Sequence, residues 1–162
     1  MRKHYPLVAC ALLVLFQCSP TFAQEQQPET SPPKEVTRVI ADFWTALGAF
    51  DAEGMKQTFD WPVSIVEASA KVTKNPRVLT SPTDLDKEFT GPRPASGRSE
   101  FYGAKLSNFK IQNMSDSLAI VTYLAQIPTK DAYKDGNFNA VAIVRKISPG
   151  NTWKIIFITV PN

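Results

Sequence analysis

The chain has 162 residues, a formal charge of +3 and 43% hydrophobic residues, enough for one domain with a full apolar core. Its single histidine and two cysteines, His4, Cys10 and Cys18, all fall near the N-terminus. Everything beyond residue 18 therefore lacks disulfides, thiol chemistry, thiolate or imidazole metal ligands, and the commonest general acid-base side chain.

The N-terminal segment reads as a secretory signal. Arg2, Lys3 and His4 form a positive start, Leu7 to Phe16 is an unbroken apolar run, and Thr21-Phe22-Ala23 offers small residues to a signal peptidase. The run is too short to span a bilayer, which takes about 20 residues. The expectation is a signal peptide over residues 1–23, cleavage after Ala23, and a periplasmic or secreted protein with no transmembrane segment. Leu7-Val8-Ala9-Cys10 has the outline of a lipoprotein box but leaves almost no apolar core upstream, and Gln17 fits poorly before Cys18, so lipidation is not expected. Removing Arg2 and Lys3 takes the charge from +3 to +1. No nucleic-acid partner is expected from that charge and export. No cofactor and no metal site are expected either.

Residues 24–33 (QEQQPETSPP) are polar and proline-rich, the composition of a disordered lead-in. A single domain is expected over 34–162. Its first element is a helix: Val36, Val39, Ile40, Phe43, Trp44, Leu47 and Phe50 fall on one face at helical spacing, and Thr30 or Ser31 suits its start. Asp51-Ala52-Glu53-Gly54 breaks it, and Met55 to Phe59 predicts a short second helix. Asp60-Trp61-Pro62 is a sharp exit, since a residue before proline is pushed out of helical geometry. Val63 to Glu67 predicts a short strand. Val72 to Val78 is basic and polar, without regular period. Ser81-Pro82-Thr83-Asp84 predicts a capped helix with Ser81 as N-cap and Asp84 at its third position. Thr90 to Arg98 is a loop.

From Phe101 the period changes to two. Strands are expected over 103–112, 118–127, 137–147 and 152–160, separated by turn chemistry such as Ser148-Pro149-Gly150-Asn151 and so joined as an antiparallel meander. Helices first and strands last make an α+β fold. In the last strand Trp153, Ile155 and Phe157 are expected on one face, with Ile156, Ile158 and Val160 on the other. Both faces are apolar, although antiparallel sheets usually leave one face wet. The helices cover one, and a homodimer through the outer sheet face is expected to cover the other, the alternative being a long loop folded over it.

This order of elements, with "VIADFWTALGAFDAEGM", "GNFNAVAIVRKI" and "NTWKIIFITV", resembles the NTF2-like superfamily, which includes SnoaL-type cyclases, ketosteroid isomerase and scytalone dehydratase. The resemblance spans about residues 34–161 and implies a cystatin-like cone, with N-terminal helices packed in the concave face of a curved, mainly antiparallel sheet. It also implies a cavity at the open end and, in many members, dimerisation through the outside of the sheet. The catalytic patterns of the family are incomplete here. The first helix carries Phe43 and Trp44 where ketosteroid isomerases need a tyrosine, the scytalone dehydratase histidines are missing, and Arg145 lacks the aspartate pair of limonene epoxide hydrolases.

Candidates therefore come from chemistry alone. Asp60, beside Trp61, is either an acid or base at a cavity mouth or a turn residue bonded to backbone. Glu67 is either a cavity carboxylate or a solvated strand end. Tyr123 is either a cavity donor or a core aromatic with a satisfied hydroxyl. Trp44, Phe59 and Trp61 form either an aromatic wall for an apolar ligand or simply core, and Tyr102 and Tyr133, near loops, are either rim contacts or without a role. Asp131, Asp135 and Asn137 lack the ligand run of a calcium loop. Asn113-Met114-Ser115 is a glycosylation sequon whose asparagine a turn also explains. The expected function is a binder of a small, mostly apolar molecule in the cone, without turnover. The alternatives are an interaction or assembly module working through the sheet face or basic loops, and a dehydratase-, isomerase- or cyclase-type enzyme using Asp60, Glu67 and Tyr123.

Overall fold

The structure, a computed structural model, describes residues 33–68, 76–90, 97–128 and 136–161. The expected signal peptide, the expected lead-in through Pro32, and Tyr133 with the Asp131–Asp135 turn lie outside the described residues.

Helix α1 (Lys34–Gly48) follows the apolar spacing of the sequence: Val36, Val39, Ile40, Phe43 and Trp44 are all buried. Each such side chain contributes about 1.5–3 kcal/mol on burial. The helix opens at Pro33 without a side-chain cap, and it ends before Phe50, which turns to positive φ and packs edge-on against Phe89 at 6.0 Å. Helix α2 runs over Ala52–Thr58, earlier than expected, because Asp51 caps it by accepting the Gly54 N–H at 2.9 Å. Phe59 is consequently not helical. It opens strand β1 (Phe59–Ala68), ten residues instead of the five expected.

A short strand β2 (Arg77–Leu79), not expected from its polar sequence, pairs antiparallel with β1, Val63 opposite Leu79 and Ile65 opposite Arg77. Helix α3 (Pro82–Glu88) starts as its sequence predicts. The Asp84 carboxylate accepts hydrogen bonds from the N–H and hydroxyl of Ser81 and of Thr80, a capping box extended by one residue. Lys56 joins α2 to α3 by bridging Asp86 and Glu53, each at 2.6 Å, and those two carboxylates raise its pKa.

Strands β3 (Lys105–Ser115), β4 (Leu118–Gln126), β5 (Asn137–Ile147) and β6 (Thr152–Pro161) form the expected meander. Among the described residues the sheet has six strands in the order β2-β1-β6-β5-β4-β3, with β1 parallel to β6 and every other pair antiparallel. The three described helices pack on one face, giving an α+β architecture. That inner face buries Ala119, Val121, Tyr123 and Ala125 from β4 and Ala140, Ala142 and Val144 from β5.

The last strand corrects one expectation. Ile143 pairs with Phe157 but Val144 pairs with Ile155, so Ile156 is an extra residue in β6. A bulge of this kind reverses the side-chain alternation. Ile155 and Ile158, expected on opposite faces, both reach the core at 0% exposure, while Phe157 turns outward beside Ile143. The outer face then presents Ile120, Ile143 and Phe157 in one cross-strand row and Thr122 and Val141 in the next, all short of full burial. It is apolar in the middle and polar at its margins.

Candidate functional site

Alternation along β1 puts Ile65 and Glu67 on the inner face, because they are register partners of Ile158 and Val160. On β2 the same rule puts Arg77 and Leu79 together, opposite Ile65 and Val63. On α3, Leu85, Glu88 and Phe89 share one face at spacings of three and four. These three elements and the end of α1 converge on a cavity of about 250 Å³. Its walls are apolar: Phe43 and Leu47 from α1, Met55 from α2, Leu79, Leu85 and Phe101.

The cavity lining also holds a charged cluster. Arg77 reaches Glu67 at 2.7 Å through Nη2 and binds Glu88 through Nη1. Glu100 lines the same space. Glu67 is the best covered of the trio, with 23% of its side chain exposed against 45% for Arg77 and 41% for Glu88. A guanidinium held between two carboxylates is fixed in direction, so its position is set before any ligand arrives.

The other sequence candidates lie elsewhere. Asp60 alternates out of the core on β1 and ion-pairs with Arg145 of β5, whose Nε donates at 2.6 Å; its neighbour Phe59 packs inside against Phe43 and Trp61. Asp60 thus ties β1 to β5 across β6. Tyr123 is buried at 3% exposure, its hydroxyl accepting the Trp44 Nε1–H at 2.9 Å, and burial pushes its pKa well above the ordinary tyrosine value. Trp44 and Tyr102 do not line the cavity but a separate cleft on the other flank of α1. Phe59, Trp61, Tyr123 and Asp60 line neither. Among the described residues no group of three or more His, Cys, Asp or Glu is placed to hold a metal ion. No described helix is long and apolar enough to cross a membrane.

Sequence reasoning missed Arg77, Glu88, Glu100 and Phe89 as site residues. The Leu85, Glu88, Phe89 spacing on α3 was a legible signal. The meeting of Arg77 with Glu67 was not, because it depends on the β1–β2 register.

No protein-family model matches the sequence, and no curated protein matches it. Solved structures do. A cystatin-like fold protein from Nostoc punctiforme superposes with a TM-score of 0.56 at 18% identity, covering 78% of this chain and 87% of its own. An NTF2-like protein from Pseudomonas putida gives 0.53 at 15% identity, covering 77% and 82%. The CaMKII hub of S. rosetta gives 0.53 at 18% identity, covering 80% and 95%. Identities this low speak for the fold alone. Element order, sheet topology and these superpositions agree: the chain has an α+β fold of the kind seen in NTF2-like and cystatin-like fold proteins.

Proposed function

We propose that this is an exported binding protein that holds a small, mostly apolar molecule in the cavity between α1, α3 and the inner sheet face, without turning it over. The cavity carries the reading: apolar walls from three helices and the sheet, with the Glu67–Arg77–Glu88 cluster set among them. Sites of this make-up enclose an apolar body and use a few polar groups to orient it. Arg77, fixed by Glu67 and Glu88, is the orienting group. At about 250 Å³ the space falls just below the ~300–1,000 Å³ of drug-sized sites, which favours a small ligand. Export rests on the segment from Arg2 to Ala23.

Native mass spectrometry of the protein taken from its export compartment tests this. The expected result is a retained mass that is lost when Leu47→Trp fills the cavity. A protein that carries no mass, and whose Met55 methyl resonance is unmoved by apolar probes such as 2-naphthol, overturns it.

Convergence of Glu67, Glu88 and Glu100 on one cavity favours a second reading, an acid-base enzyme of the isomerase or dehydratase type. It ranks behind binding because Glu67 and Glu88 are both engaged by Arg77. Turnover of a cavity ligand that Glu67→Gln abolishes without loss of binding would reverse that order.

We also infer a homodimer through the outer sheet face. The support is the apolar row Ile120, Ile143 and Phe157, flanked by Thr122 and Val141 and bordered by the Asp60–Arg145 pair. A contiguous apolar band with a polar margin is the anatomy of a subunit interface.

A further inference from the structure

The cleft on the far flank of α1 differs from the cavity in shape and in charge. Thr37, Arg38, Ala41, Trp44 and Thr45 form its helix side. Opposite them stand the turn Tyr102–Ala104 and, from strand β3, Leu106 and Phe109, around a space of about 580 Å³. That turn is held tightly to α1: Ser99 donates its N–H to the Gly48 carbonyl and its hydroxyl to the Leu47 carbonyl, both at 2.9 Å. A Cβ at Gly48 would lie 3.0 Å from the Tyr102 Cα, so a larger residue there would push the turn away.

The walls are aromatic and rigid. Trp44 is anchored by its bond to Tyr123, and Phe109 stacks on the same tyrosine with ring centroids 5.4 Å apart and planes at 19°. Tyr102 is 44% exposed, and the Arg98 guanidinium lies 3.9 Å from its ring centroid.

Electrostatics select the ligand. Among the described residues that line the cleft Arg38 carries the charge, and none of them is a carboxylate. The cavity beyond α1 has the opposite balance, with Glu67, Glu88 and Glu100 against Arg77. Thr37 and Thr45 already donate their hydroxyl protons to the carbonyls of Lys34 and Ala41, so the charged donors of the cleft come from Arg38. Its own ion pair with Asp42 is long at 3.7 Å, and the two side chains are 82% and 60% exposed. An exposed pair of that kind contributes little, and the guanidinium turns to another anion at small cost.

The geometry points to a second ligand site in this cleft, one that takes a planar apolar acid: an aromatic body against Tyr102 and Phe109, above the buried Trp44, and a carboxylate on Arg38. A planar guanidinium meets a carboxylate with two parallel hydrogen bonds, and aromatic walls stack on a flat body. The site is separate from the cavity of the proposed function and does not depend on that reading.

The test is a protein-observed NMR titration followed at the Trp44 indole N–H, with 2-naphthoate, 2-naphthalenemethanol and 2-naphthylmethylamine as probes. Naphthoate is expected to move the Trp44 signal and to bind roughly fivefold more tightly than the alcohol, and more tightly still than the amine. Arg38→Ala, at an exposed position, removes that preference. Ala41→Trp closes the cleft and removes binding, while Arg77→Met in the other cavity leaves it unchanged. The site is overturned if the alcohol or amine binds as well as the acid, if Arg38→Ala keeps the preference, or if naphthoate moves the Met55 methyl instead of the Trp44 indole. It is equally overturned if no probe binds at millimolar concentration.

Discussion

Trp44 donates its indole N–H to the hydroxyl of Tyr123 at 2.9 Å, a buried bond between the first helix and the middle of the sheet across 79 residues of sequence. The two rings meet edge to face at 6.5 Å, and Phe101 meets Trp44 the same way at 6.0 Å. Phe101 lines the cavity and Trp44 lines the cleft. This aromatic group is therefore the partition between the two spaces, and the hydrogen bond fixes its angle.

Removing the acceptor tests that role. Tyr123→Phe keeps the ring but leaves the Trp44 N–H buried without a partner, which costs about 1–3 kcal/mol. A fall in melting temperature of roughly 4–12 °C is expected by thermal denaturation. An unchanged melting temperature would mean that the indole finds another acceptor.

Asp84 links stability to pH. Its carboxylate accepts from Thr80 and Ser81 and pairs with Lys87, and the Thr80 hydroxyl bond is the largest cause of a pKa well below the ordinary aspartate value. A depressed folded pKa makes a contribution that is present above the unfolded value, near ~3.9, and lost as pH falls toward the folded one. Asp84→Asn should lower the melting temperature by a few degrees at pH 7, and the gap from the parent should close toward pH 2. A gap that persists at pH 2 would assign the loss to something other than this charge.

Arg77 separates binding from folding. Nearly half of its side chain is exposed, so its two ion pairs contribute little to stability, about 0–1 kcal/mol each. Arg77→Met should shift the melting temperature by only a few degrees while weakening retention of the cavity ligand severalfold. Equal retention by both proteins in a competition assay would remove Arg77 from the site.

The outer sheet face makes its own prediction. Ile143 lies at the centre of the apolar row between Ile120 and Phe157. Ile143→Lys places a charge there without touching the core, since its neighbours Ala142 and Val144 face the other way at 0% exposure. Sedimentation should show a dimer for the parent and a monomer with native circular dichroism for the variant. A parent that is monomeric at micromolar concentration defeats the interface.

The features legible in the chain alone are local ones. The 3.6-residue spacing from Val36 to Leu47 specifies the helix and its buried face, Ser81 and Asp84 specify the start of α3, and two-residue alternation with turn chemistry specifies the meander. These signals read within a turn or a strand, where the chain's own geometry sets the period. Only tertiary structure decided which strands are neighbours and in what register. The parallel β1–β6 pairing brought Glu67 to the cavity wall, and the β1–β2 register brought Arg77 to Glu67. One extra residue at Ile156 moved Ile155 and Ile158 onto the same face. Asp60 next to Trp61 reads as a site from their adjacency, yet alternation sends their side chains to opposite sides, and Asp60 finds Arg145 85 residues away. Periodicity tells a side chain which way to point along its own element. What it meets there is set by the pairing of distant segments, and no local pattern encodes that.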